Sequence, residues 1–424
     1  MSSLPALFLS ALGLLLAVAC PSAGAVVPVS AGQDLAAAIA DAAPGDQMVL
    51  APGDYAGPIV IDRPLTLTGH GKARITGPGA GSVIRVQSGG VVLDGLVVTG
   101  SGLRLDKLDS GIVLDRDHRD ILVQNCTLLD NLIGIDVQGA RDVTLRGNTI
   151  RGRDDLRVPE RGPGVYVWNA PGLLAEGNDI SRGRDGFFVT TSHRATYRRN
   201  RFHDLRYAFH SMYANRLVVE DNLSTGNEIG YALMFSQDLK VSRNVSDGDR
   251  AHAFFMNFAN KAVLTENRVT NGPEKCLFVY NANRNRFVDN LFSGCDIGVH
   301  YTAGAQDNLF TGNSFVGNRT QVKYVGTKWI EFSEGRRGNY WSDHPGFDID
   351  GDGVADSPYR PNDVIDQVVW NQPAARLLLG APAVQLIRWS QSRFPGLMPG
   401  GVIDSHPLAR PGVPVQPVEK GGQT

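Results

Sequence analysis

An asparagine recurs at positions 125, 148, 178, 200, 222, 244, 267, 290 and 313, in steps of 23, 30, 22, 22, 22, 23, 23 and 23 residues. Three positions before each stands an apolar or aromatic side chain: Leu122, Leu145, Ala175, Tyr197, Val219, Val241, Leu264, Phe287 and Phe310. A unit of this length cannot bury its apolar face alone and must stack on copies of itself. The expected fold class is therefore an all-β solenoid, a right-handed parallel β-helix whose coils lie roughly 4.8 Å apart. Asparagine suits a coil corner because it tolerates the left-handed backbone and its amide can bond the amide one coil away. The 49 glycines agree with many tight turns. The single 30-residue step marks an insertion, about 151–163, rich in Arg, Asp and Glu and so expected to loop out into solvent or face a partner.

A stacked solenoid needs covered ends. Residues 1–25 read as an export signal, apolar from Leu4 to Cys20 and closing on Ala23-Gly24-Ala25. Residues 26–72 read as an N-terminal cap, with a helical stretch at 33–42, the turn Pro44-Gly45-Asp46 and a strand at 48–50. The β-helix is expected over 73–345. An Asp-rich loop and a small C-terminal helical segment fill 346–395, two short helices broken by Pro382, and 396–424 reads as a flexible, proline-rich tail. No stretch after the leader reaches the ~18 apolar residues of a membrane helix. Forty-one Lys and Arg against 43 Asp and Glu leave a formal charge of −2, which argues against a nucleic-acid partner. Cys126, Cys276 and Cys295 are too few for a disulfide framework. Buried thiols are the expectation, with a Cys276–Cys295 bridge or metal ligation as alternatives.

Two clusters carry chemistry. Met212, Met234 and Met256 are spaced by 22 and 22 residues, each twelve past its asparagine, so they are expected in one slot on three successive coils. Alternation around them places the slot on the outer face, with His210 two residues from Met212 and His252 four from Met256. Thioether with imidazole is a soft set that selects Cu(I); an apolar strip that docks a partner fits equally. Farther on, Asp348, Asp350, Asp352 and Asp356 surround Gly351 and Gly353, a spacing that suits Ca²⁺ or a simple Asp-Gly turn. Trp370 and Trp389, on the C-terminal helices, are candidates for contact with a membrane subunit or for capping the last coil.

An enzymatic reading competes, because a groove on a parallel β-helix can hold a sugar chain, as in a pectin- or alginate-type lyase or epimerase. Its cations would come from Arg182, Arg184, Arg194, Arg198, Arg199, Arg201 and Arg206, with His193, His203 and Tyr207 nearby. No stacked acidic patch accompanies them, and a solvated basic face explains them as well.

The coils, then Gly338-Asn339-Tyr340-Trp341-Ser342-Asp343, Gly346-Phe347-Asp348-Ile349-Asp350-Gly351-Asp352-Gly353, Ser357-Pro358-Tyr359-Arg360-Pro361 and the closing Arg388-Trp389, together resemble the NosD family over nearly the whole mature chain. That resemblance implies a non-enzymatic periplasmic protein for nitrous oxide reductase maturation. Its partners would be an ABC-type membrane subunit with a cytoplasmic ATPase, a copper-binding lipoprotein donor and the reductase, with Cu(I) as transient cargo. No G-x-x-x-x-G-K-[ST] loop occurs, so ATP hydrolysis must lie elsewhere.

Overall fold

A computed structural model describes residues 24–393 and 400–413. The leader reading, but for its last two residues, lies outside the described residues. Short parallel strands stack into two long sheets along the solenoid, one of 24 strands and one of 12, with the apolar core between them. The order of the 12-stranded sheet runs unbroken from Thr320–Val325 back to Ile59–Ile61, each strand pairing with its equivalent one coil away. Core residues such as Phe187, Phe209, Tyr231 and Phe254 are fully buried.

The recurrent asparagines are the rungs of an internal amide ladder. From Asn148 through Asn313, each Nδ2 donates to the Oδ1 of the next asparagine at 2.8–3.0 Å. The same Oδ1 accepts the backbone N–H of the asparagine before it at 3.0–3.2 Å. The left-handed corner falls one residue earlier than expected, at Arg199, Asp221, Arg243, Glu266 and Asp289, so the amides themselves point inward and are buried. Asn125 is not a rung. It occupies the left-handed position, φ 53°, and Cys126 takes the rung, its N–H donating to Asn148 Oδ1 at 3.0 Å.

At the N-terminal end, the helix α1 (Leu35–Asp41) starts on Asp34, which accepts from Ala37 N, and buries Leu35 and Ile39. Parallel pairing already begins at Val26–Val29, within the span read as the cap. The ladder does not stop where the period fails. Asn339 is its last rung, and Asp404 receives both Asn339 N at 2.7 Å and Trp341 Nε1 at 2.8 Å. Asp404 belongs to a segment expected to be a flexible tail. Residues 401–403 instead pair with Trp329–Glu331, because the exposed last coil offers unpaired backbone groups that this strand satisfies. Cys276 and Cys295 form a disulfide between successive coils, so buried thiols are the wrong expectation for this pair, whereas Cys126 is a free, buried thiol whose pKa burial pushes up to about 12. The C-terminal helices are α2 (Val364–Asn371) and α3 (Pro382–Arg393), with Pro382 opening the second where its missing N–H costs nothing.

Candidate metal centre on the outer wall

Side chains on the outer face of the 12-stranded sheet stand in columns, one residue per coil. The central column runs Asp136, Tyr166, Phe188, His210, Ala232, Phe255, Phe278, His300 and Lys323. Its rings stack face to face: Tyr166 on Phe188 at 5.5 Å, Phe188 on His210 at 4.8 Å, Phe255 on Phe278 at 5.1 Å and Phe278 on His300 at 4.7 Å. The run is interrupted once. Ala232 is the only small side chain among these nine, so it breaks the ring stack between His210 and Phe255, two coil spacings or about 10 Å from one to the other; it is itself fully buried, so neighbouring side chains close over the gap.

His210 stands next to Ala232 in the column. It is 7% exposed, and its Nδ1 lies 3.4 Å from Asp185 Oδ2. Asp185 is fully buried and also accepts from Arg206 Nε at 3.0 Å and Nη2 at 2.9 Å. A carboxylate only accepts, so the Nδ1 that faces it carries a proton. The His210 Nε2 is buried and has no hydrogen-bond partner. Tyr207 closes one side at 4.9 Å from the imidazole, with the Arg206 guanidinium over its own ring at 4.3 Å.

The adjacent column supplies Thr190, Met212, Met234 and Asn257, with Met212 directly paired to Met234. Both methionines are half-buried on the same outer face as His210. Met256 is not with them. It pairs with Leu233, points inward and is fully buried. The coil holding it carries one extra residue between Asp249 and His252, and a one-residue shift turns every following side chain to the opposite face. Phe254, paired with Tyr231, lies inside for the same reason. His252 does lie on the outer wall, on the flank opposite the methionines, in the column of Tyr207, Ile229 and Lys275. Its Nδ1 is 2.6 Å from Ala251 O, and burial and Lys275 hold its pKa below the usual value. The structure thus joins His210, Met212 and Met234 and separates Met256 and His252 from them.

The remaining candidates divide similarly. Carboxylate oxygens of Asp348, Asp350 and Asp352 lie within 4.8 Å of one another, whereas Asp356 turns away to accept from Ile349 N at 2.7 Å. Asp348, Asp350 and Asp352 also accept loop N–H groups, from Gly353, Asp352 and Val354. Trp370 is half-buried on α2 and Trp389 is 56% exposed on α3, near exposed Leu377, Leu386 and Ile387. No described helix is long and apolar enough to cross a membrane.

The arginines that would serve a lyase are mostly neutralised by near neighbours. Arg182 pairs with Asp154, Arg199 with Glu176, Arg198 with Glu176 at 3.3 Å, and Arg201 with Asp179 at 3.9 Å. The insertion is likewise self-paired, Arg153 to Asp155 at 2.5 Å and Arg157 to Glu160. Sequence reasoning missed Asp185 as the partner of His210 and Ala232 as the gap. A column of residues 22 or 23 apart, two places before the methionines, would have shown the gap; nothing in the sequence marks Asp185.

Fold and wall together define a parallel β-solenoid with a histidine and two methionines side by side on one outer face. A family model described as "Periplasmic copper-binding protein (NosD)" matches residues 150–346. The curated "Probable ABC transporter binding protein NosD" of Pseudomonas aeruginosa is 37% identical, covering 85% of this chain and 87% of that protein. Its counterpart from Stutzerimonas stutzeri is 35% identical, over 84% of this chain and 85% of its own length. The chain belongs to the NosD family. Among solved structures, the Yersinia enterocolitica Family 28 exopolygalacturonase aligns at a TM-score of 0.52 and 10% identity, over 71% of this chain and 77% of that one. An exopolygalacturonase from Thermotoga maritima gives 0.51 and 11%, over 66% and 84%. At such identities the likeness is one of fold alone.

Proposed function

We propose that this protein accepts Cu(I) at His210, Met212 and Met234 on its outer wall, from a copper-binding lipoprotein donor, and passes it on for copper-centre assembly in nitrous oxide reductase, working with an ABC-type membrane subunit and its cytoplasmic ATPase. One observation carries the reading: a buried imidazole nitrogen without a partner, oriented by a buried carboxylate, stands one column away from two thioethers that are paired with each other. The carboxylate-oriented imidazole is the usual support of a metal-ligating histidine. Two sulfurs and one imidazole nitrogen favour Cu(I) over hard cations. The half-exposed thioethers leave the ion reachable, which a cargo site requires and a resident structural site does not.

The test is anaerobic Cu(I) titration of the purified chain against a chromophoric chelator. Met212→Ala with Met234→Ala, or His210→Ala alone, should weaken affinity by roughly the 10- to 100-fold typical of lost metal-site support, or more. Met256→Leu should leave it unchanged. Wild-type affinity in the double methionine variant would remove these residues from the function.

Trp370 and Trp389 are proposed as contacts to the membrane subunit, on the strength of the exposed apolar face of α3. Trp389→Ser should lower recovery of the membrane subunit with the tagged chain; equal recovery would leave α3 a cap. For the Asp348–Asp352 loop Ca²⁺ is the proposed ion, and an unchanged melting temperature with millimolar Ca²⁺ would argue for a plain turn. The lyase reading gains no support from the wall, because its stacked rings present edges rather than free faces to a sugar.

A further inference from the structure

Immediately past the methionine column the chain turns a corner, and there three successive coils place Tyr213, Phe235 and Phe258. They are 53%, 36% and 41% exposed. Their rings stack at 5.1 and 5.3 Å, and Tyr280, 41% exposed, closes the row edge-on at 6.1 Å from Phe258. All three corner residues have left-handed backbones, φ 54°, 48° and 50°. A bulky side chain is disfavoured there, and an exposed ring recovers little of that cost by burial. Neighbouring coils fill the same corner with residues that carry no exposed ring, Asn169 and Thr191 before the row and Asn281 after it. The aromatic rail is therefore confined to the coils that border Met212 and Met234.

Its outer border is cationic. Arg194, Arg216 and Lys261 stand at the next left-handed corner and form no ion pair among the described residues; Asp238 is the one carboxylate in that row equally without a cation. Arg284 is matched by Asp307 at 3.9 Å. Three unmatched cations therefore face one unmatched carboxylate. A shallow cleft of about 500 Å³ lies along this border, lined by Gln237, Asn260, Lys261, Asn283, Arg284 and Asp307 among others.

We propose that Tyr213, Phe235, Phe258 and Tyr280, bordered by Arg194, Arg216 and Lys261, dock a protein that presents an apolar ridge edged with carboxylates, and that this protein exchanges copper at the adjoining Met212 and Met234. The second clause rests on the copper reading above; the docking surface does not. Charge selects the occupant. A second copy of this chain would bring the same excess of cations against itself, and an uncharged partner would leave that excess unanswered. A sugar chain needs open ring faces, and here neighbouring rings cover them. Docking within a coil or two of the thioethers would seal them from water during transfer, which a soft ion prone to oxidation requires.

The experiment places a photo-crosslinking benzoylphenylalanine at Phe235 of the full-length chain in its own periplasm, identifies the adduct by mass spectrometry, and measures binding of the captured protein, once purified, to purified variants. Support is one captured protein whose affinity falls at least tenfold in Arg216→Glu with Lys261→Glu, falls with added NaCl, and falls at least tenfold in the triple variant Tyr213→Asn, Phe235→Asn and Phe258→Asn. That triple variant should melt no lower than wild type, because asparagine is already accepted at this corner, and should bind Cu(I) as wild type does. Adducts with lipid, with a second copy of the chain, or with nothing would overturn the proposal, as would a captured protein that binds wild type and variants alike. Should the wild-type chain take up no Cu(I), the copper reading falls while the crosslink still judges the docking surface.

Discussion

Asp249 shows how single residues in this solenoid are held. It is almost fully buried and accepts hydrogen bonds from the Ser224 and Ser246 hydroxyls and from Asn227 N. Burial nonetheless raises its pKa to about 6, above the ordinary 3.8. A raised folded-state value means that the carboxyl favours folding most when protonated. Its contribution is fully present below pH 4 and is lost as pH rises toward 6, a difference of about 3 kcal/mol at 1.36 kcal/mol per unit. Asp249→Asn keeps an acceptor without a charge. Denaturant unfolding should therefore show the variant gaining on wild type between pH 4 and 6 by up to about that amount, then running parallel. A difference independent of pH would mean that the carboxyl is solvated or paired. At the same scale, His300 is held to a pKa of about 4 by burial and neighbouring lysines, so its stacking on Phe278 persists uncharged at neutral pH.

At the scale of the element, the coil is defined by its rung. Asn244 donates to Asn267 Oδ1 at 3.0 Å and to Val219 O at 2.8 Å, while its Oδ1 takes Asn222 Nδ2 at 2.9 Å. Removing it strands a buried donor and a buried acceptor at once, each costing about 1–3 kcal/mol. Asn244→Ala should lower unfolding free energy by roughly 2–6 kcal/mol, while Arg243→Asn one residue earlier, at the left-handed corner, should cost far less. Reversed ranking in urea titrations would contradict the ladder as the main polar support. The rung was legible in the sequence because an amide is the one side chain that donates and accepts to its own copy. Its inward direction was not, and neither was the displacement of Asn125 from the series, since a regular spacing does not say which of two adjacent residues faces in.

For the whole molecule the question is how a solenoid ends. Phe315, Trp341 and Tyr359 continue the internal stack at 4.3 and 4.7 Å, and Asp404 returns from late in the chain to receive Asn339 and Trp341. The aromatic motif at 339–341 thus closes the core. Asp404→Ala leaves the Asn339 N–H and Trp341 Nε1 without acceptors and should cost about 2–6 kcal/mol, at 1–3 per stranded group. Hydrogen exchange in such a variant should rise first in the coils nearest residue 340 and leave those near α1 protected, as nearest-neighbour stacking demands. Uniform deprotection would mean that the solenoid unfolds as one block.

Taken alone, the sequence determined the stacked coil, the insertion, the helical N-terminal end and the resemblance to NosD, because each is written as a spacing or a short motif that local chemistry reads in one way. What faces what was decided only in three dimensions. A single added residue after Asp249 sent Met256 into the core while Met212 and Met234 stayed outside, an alanine interrupted the column where rings would otherwise stack, and a carboxylate one coil before His210 oriented it. Such outcomes depend on register between coils, and register accumulates every insertion along the path, so no count made within one coil could have supplied it.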